Sequence, residues 1–148
     1  MVTPVTDSEA SVTYVSHHST VTAMAVESRE RFVITGAKEG DVIVWNILNT
    51  QGQHWVNHRH VHDHTAPVMS IAICERMLMF ATASLDGVCN LYSLIKGKLL
   101  RTFSHPRGSP LHGVILSSSP LPSVAIFSEK EKSWTSFALN GKRLTTVK

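Results

Sequence analysis

Two stretches decide the reading: His17–Ile47, HHSTVTAMAVESRERFVITGAKEGDVIVWNI, and His64–Leu94, HTAPVMSIAICERMLMFATASLDGVCNLYSL. They align without a gap, each residue falling on the one 47 positions further along. His17 falls on His64, Val21 on Val68, Ala25 on Ala72, Thr35 on Thr82, Gly40 on Gly87 and Trp45 on Tyr92; Glu39 falls on Asp86. Self-similarity at this period marks a repeat architecture in which each repeat is one supersecondary unit. It points to stacked sheets, and to binding rather than chemistry.

Outward from these stretches, helix signals are nearly absent. The apolar runs are short, rich in Val, Ile, Thr and Phe, and broken by Gly, Pro, Asp and Ser, which is strand and turn composition. The first unit reads as strands at 21–26, 32–35, 42–47 and 53–58, and the second at 68–73, 79–83, 88–94 and 98–103. A third reads at 111–116, 123–128, 133–139 and 143–147. Glu39-Gly40, Asp86-Gly87, Lys96-Gly97 and Asn140-Gly141 supply the turns that tight hairpins need. Val42–Trp45 and Val68–Ile73 lack polar alternation, as expected of strands covered on both faces. Residues 10–16, ASVTYVS, read as the outer strand of a preceding unit, because TYVSH before unit one matches RTFSH before unit three. The expected organisation is a leader at 1–13 and a repeat region at 14–148, with units at 17–58, 64–103 and 105–148.

The order His, apolar strand, Thr, acid-Gly turn, aromatic-ended strand resembles the WD40 repeat, which forms one four-stranded blade of a β-propeller. In that family a His precedes the first strand, Ser or Thr sits in the second, Asp occupies the next turn, and Trp ends the third. The resemblance places a structural hydrogen-bond network on His17, Thr35, Glu39 and Trp45, and on His64, Thr82, Asp86 and Tyr92. Glu for Asp stretches the first set, and Tyr for Trp alters the second. Unit three keeps His105 and Phe137, with Phe127 expected in the Ser/Thr slot and the network lost. A narrower resemblance joins ATASLDGVCNLYSLIKGKLLRTF (81–103), VILSSS (114–119) and SFALNGKRL (136–144) to the C-terminal propeller of BEACH-domain proteins. That family implies vesicle trafficking and scaffolding at membranes.

The fold expected is therefore all-β, about three four-stranded antiparallel WD40-type blades forming part of a propeller. Propellers usually have 4–8 blades, so neighbouring blades in a longer chain, or self-association, would complete the ring. Three blades alone should leave an apolar face open at each end. The function expected is a non-enzymatic protein-interaction scaffold, with a generic WD40 adaptor of another complex as the wider alternative. Its partner-binding rim would carry Lys38, Glu39, His60, His62, Asp63, Leu85 and Arg107.

The chain of 148 residues is 43% hydrophobic and 17% charged, the balance of an ordinary globular protein. No apolar run approaches the ~18 residues of a membrane helix, and MVTPVTDSEA has no signal-peptide character. A cytoplasmic location follows, with peripheral membrane association only through a parent protein. The net charge of +3 is unclustered, which excludes a nucleic-acid footprint. Cys74 and Cys89 read as reduced hydrophobes, with no CxxC spacing.

The densest chemistry is HWVNHRHVHDH (54–64). In an extended segment residues i and i+2 share a face, so His58, His60 and His62 are candidate ligands for Zn or Ni, which would make the chain a His-rich metal-binding protein. The same run also fits an exposed connection between repeats, and this reading is preferred: it spans 19 residues from Trp45 to His64 against 13 from Tyr92 to His105. No metal and no cofactor are therefore expected. The chain has no GxSxG, P-loop, GxGxxG or HExxH motif, so no catalytic residue is assigned.

Overall fold

The computed structural model describes residues 2–3, 13–14, 17–50 and 53–148, with side chains over 17–47 and 59–148. The remaining residues of the expected leader strand, 10–12 and 15–16, lie outside the described residues. A short pair joins β1 (Val2–Thr3) to β2 (Thr13–Tyr14). Three four-stranded antiparallel sheets follow, each built from consecutive strands. Sheet one holds β3 (Val21–Val26), β4 (Phe32–Ala37), β5 (Val42–Thr50) and β6 (Gln53–Val61). Sheet two holds β7 (Val68–Cys74), β8 (Met79–Ser84), β9 (Val88–Ser93) and β10 (Leu99–Ser104). Sheet three holds β11 (Gly113–Ser117), β12 (Ser123–Ser128), β13 (Ser133–Ala138) and β14 (Arg143–Val147). There is no helix among the described residues, and so none long and apolar enough to cross a membrane.

The sequence repeat is a repeat of backbone detail. The β3–β4 ladder shifts register between Val21 and Ala23, and the β7–β8 ladder between Val68 and Ser70, 47 residues on. Lys38 N donates to Thr20 O at 2.8 Å, and Leu85 N to Pro67 O at 3.0 Å. Gly40 and Gly87 close the same turn with φ of 98° and 81°, a region open to glycine at no steric cost.

The sheets stack in chain order. Phe32, Ile34, Val42 and Val44 of sheet one meet Val68, Phe80 and Tyr92 of sheet two. Phe80 and Tyr92 stack with centroids 4.8 Å apart. The opposite face of sheet two, with Ala81, Ala83, Cys89 and Leu91, meets Val114, Val124, Ile126 and Phe137 of sheet three and Leu111 of the loop before it. Sheet two is therefore apolar on both faces because both are covered. First strands bridge directly: Thr22 Oγ1 donates to Val68 O at 2.5 Å, and Val114 N to Ser70 Oγ at 3.3 Å. The approach is close at Gly36, where an added Cβ would lie 2.5 Å from Val68 Cγ1.

The expected open end faces take different forms. On sheet three, Ile115, Trp134 and Val147 are 50%, 37% and 57% exposed. On sheet one, Met24 and Val26 of β3 are exposed, but Ile43 and Trp45 on the same face are fully buried. Among the described side chains of that sheet, the exposed large apolar residues thus lie on the first strand.

Gly36→Ala should destabilise the chain by about 1–3 kcal/mol, because the new methyl overpacks the sheet-one/sheet-two contact. Gly113→Ala should lose less, since its Cβ would meet nothing closer than Phe127 Cβ at 3.4 Å. Urea unfolding of both variants measures the difference.

Candidate functional site

One edge of the stack gathers the loops before β3, β7 and β11 and the hairpin turns β4–β5, β8–β9 and β12–β13. Each sheet anchors this rim with a histidine, and the three anchors differ.

In sheet two the anchor is complete. His64 is buried, with Nδ1 3.1 Å from Asp86 Oδ2 and Nε2 2.7 Å from Thr82 Oγ1. Asp86 also accepts from Thr65 N at 3.1 Å and Val88 N at 3.0 Å. A carboxylate only accepts, so His64 carries its proton on Nδ1, and in the neutral ring Nε2 accepts from the Thr82 hydroxyl. Tyr92 departs from the family arrangement. Its longer ring carries the hydroxyl past the indole position, and it donates to Asp63 Oδ2 at 2.9 Å. Burial and the Asp63 carboxylate both push the Tyr92 phenol up.

In sheet one Trp45 Nε1 donates to Thr35 Oγ1 at 3.0 Å, and His17 Nε2 lies 2.6 Å from the same oxygen. Glu39 does not complete the set. It is bonded through its backbone, Glu39 N to Ser19 Oγ at 3.1 Å, and His17 Nδ1 is buried without a partner. Burial lowers the His17 pKa, and His60 adds to this against Asp41. The acidic role moves two residues on, to Asp41. Its buried carboxylate bonds His62 Nδ1 and lies 3.5 Å from His60 Nε2, both from the end of the His-rich run. Burial opposes the Asp41 charge; the His62 bond, with His60, His62 and His17 nearby, outweighs it and holds the carboxyl below its usual range.

Two of the three candidate metal ligands, His60 and His62, are thus placed on Asp41. No group of three His, Cys, Asp or Glu among the described residues could hold a metal ion. The His58 side chain lies outside the described residues.

In sheet three the Ser/Thr slot holds Ile126, not Phe127. Five residues separate paired Ala83 and Cys89, but six separate Phe127 and Trp134. Counting back from the aromatic through the shorter turn misplaces the slot by one, and one residue reverses the face. Phe127 faces outward against Trp134, centroids 5.0 Å apart. His105 turns its Nδ1 inward, accepting from Arg107 N at 3.0 Å and Ser109 N at 3.4 Å. Ser109 Oγ donates to Glu131 Oε1 at 2.8 Å.

The rim residues divide into groups. Lys38 and Glu39, with Ser19, Thr20 and Thr65–Pro67, line an open hollow of about 570 Å³ between sheets one and two. Asp63 and Leu85 flank the sheet-two anchor, and His60 and His62 flank Asp41. Arg107 lies by a separate cavity of about 140 Å³ with His105, Glu131 and Arg143. Asp41 and Arg143 were missed from sequence. Asp41 follows the turn glycine, where the family pattern assigns nothing, and Arg143 sits in an exposed edge strand. Cys74 and Cys89 are free thiols; burial pushes the Cys89 thiol up, which leaves it inert.

The WD domain, G-beta repeat family model matches residues 9–46 and 55–93. The chain belongs to the WD40 repeat family, and its three sheets are blades of a β-propeller. It superimposes on the crystal structure of the RRP9 WD40 repeats with a TM-score of 0.73 at 15% identity, covering 90% of this chain and 40% of that one. Among curated proteins it is 31% identical over 91 residues to BEACH domain-containing protein lvsD of Dictyostelium discoideum, covering 60% of this chain. It is 22% identical over 148 residues to BEACH domain-containing protein B of Arabidopsis thaliana, covering 88%. The chain spans 3% and 6% of the lengths of these two relatives. WD40 propellers are generally non-catalytic scaffolds for protein–protein interaction.

Asp86→Ala should cost about 1–3 kcal/mol, because it strands the buried His64 Nδ1–H and two backbone donors. Glu39→Ala should stay within about 0.5 kcal/mol, the range of a surface substitution. Equal losses in urea would contradict the asymmetry. Asp41 makes a pH prediction. Its folded pKa lies below the unfolded value of about 3.9, so its contribution is full above that value and is lost as pH falls through the folded one. Unfolding free energies between pH 6 and pH 2 should fall less steeply in Asp41→Asn than in the parent chain.

Proposed function

We propose that this chain is a non-enzymatic scaffold, the propeller portion of a BEACH-family protein acting in vesicle trafficking or membrane-associated assembly. The reading is carried by the hollow between the first two blades. Its walls are rim loops, and its charged residues Lys38 and Glu39 make no ion pair among the described residues. Loops held on a rigid scaffold are the usual place for recognition. The BEACH assignment is supported by the two relatives, both BEACH domain-containing proteins. On this reading the partners are other proteins, the remaining blades lie in the parent chain or are supplied by self-association, and the location is cytoplasmic, with membrane contact made through the parent. The leader at 1–13 would then be in part a strand of the preceding blade.

The charge-swapped variant Lys38→Glu/Glu39→Lys tests the rim. It should keep the parent's unfolding midpoint and lose the proteins that the tagged full chain retains, judged by quantitative mass spectrometry. Retention of the same proteins at the same yield would remove the rim from the function.

A further inference from the structure

The third blade carries an anchor histidine whose usual Nε2 partner has been replaced. In the first two blades this nitrogen meets a threonine hydroxyl, Thr35 or Thr82. In the third the slot is Ile126, which offers no polar atom. Both bonds that His105 makes are accepted at Nδ1, from Arg107 N and Ser109 N. An imidazole nitrogen that accepts two N–H groups carries no proton, so in the neutral ring the proton sits on Nε2. Burial, opposed by Glu131, lowers the His105 pKa and favours that neutral donor.

His105 is 6% exposed, and Nε2 has no hydrogen-bond partner among the described residues. The ring lines the 140 Å³ cavity between the β10–β11 loop and strands β13 and β14. That volume holds a group several times larger than a water molecule, whose share of liquid volume is about 30 Å³. Lining the same space are Ser133, Thr135 and Thr146, the last two with hydroxyls 3.3 Å apart and bonded to each other, and the cationic residues Arg107, Arg143 and Lys148. The one carboxylate, Glu131, is engaged along the loop: Oε1 accepts from Ser109 Oγ, and Oε2 lies 3.8 Å from Arg107 Nη1. Arg143 makes no ion pair among the described residues. The cavity is thus lined mainly by donors.

We infer that this cavity is an oxyanion-binding site that receives a phosphorylated side chain of a protein partner. His105 and Thr135 are buried residues of its lining, and Arg143 and Arg107 are exposed ones. A phosphate monoester brings about −1.5 to −2 charges at pH 7 and three acceptor oxygens. Guanidinium groups match such oxygens in pairs. A protein source is favoured over a lipid headgroup because the lining offers Pro106 as its one apolar residue, too little to enter a bilayer. The inference rests on the reading of the rim as a partner-binding surface and names the chemistry of one contact.

The test uses the full chain and small probes. Inorganic phosphate should shift the His105 Nε2 resonance saturably in ¹⁵N NMR, with Nδ1 remaining the unprotonated nitrogen. N-acetyl-phosphothreonine methylamide should bind at least 10-fold more tightly than its unphosphorylated counterpart. Arg143→Gln, an exposed edge substitution, should weaken that binding at least 10-fold with the unfolding midpoint unchanged. A His105 signal that does not respond to phosphate would overturn the site, as would equal binding of the two amides or unaltered binding by Arg143→Gln. Phosphoinositide vesicles that bind where the phosphothreonine amide does not would overturn it in favour of a lipid. If phosphate fails while the Lys38/Glu39 swap still loses partners, this site falls and the scaffold reading stands.

Discussion

Close stacking of one sheet on the next is the constraint from which the rest of this structure follows. A four-stranded sheet covered on both faces must be apolar on both, so strands such as Val42–Trp45 and Val88–Ser93 lose the polar alternation of a half-exposed sheet. The first strands come close enough for Thr22 to bond the backbone of Val68, which requires glycine at position 36. Polar side chains are driven to the turns, where they meet in networks instead of in the core. The histidine anchors exist because the rim loops, unlike the strands, have no ladder to satisfy their backbone groups.

The repeat architecture was legible because it is written in backbone requirements. Glycines 40 and 87, the bulges in β3 and β7 and the apolar strands recur at one offset, and each is a steric demand that few residues meet. The histidine–threonine pairs were equally readable. The interior of the site was less so, for three physical reasons. A single extra residue in the β12–β13 turn reversed the faces of Ile126 and Phe127, and residue counting does not see turn length. The Tyr92 hydroxyl reaches beyond the indole nitrogen it replaces, so it finds Asp63. Asp41 receives His60 from β6 and His62 from just beyond its end, a contact set by the pairing of β6 with β5.

The three anchors are one device in three states, and what each has lost determines what the rim offers. The second blade satisfies every group: aspartate, histidine and threonine close on one another, and the turn is locked. In the first blade Glu39 has left the network, which frees its side chain for the hollow and leaves His17 Nδ1 without a partner. The local negative charge passes to Asp41, which ties down the outer strand instead.

The third blade has gone furthest. Exchanging threonine for Ile126 adds to the apolar contact with blade two but removes the hydroxyl that the histidine Nε2 meets in the other blades. The ring is then held by backbone donors at Nδ1, and its other nitrogen is turned to a polar cavity. A buried group held rigidly at one nitrogen, with its second aimed at a small donor-lined space, has the preorganisation that recognition sites require. A residue that began as a fastener of the fold thus becomes available to a ligand, and the substitution that frees it is apolar and lies in the core. For that reason it carries no mark of function in the sequence.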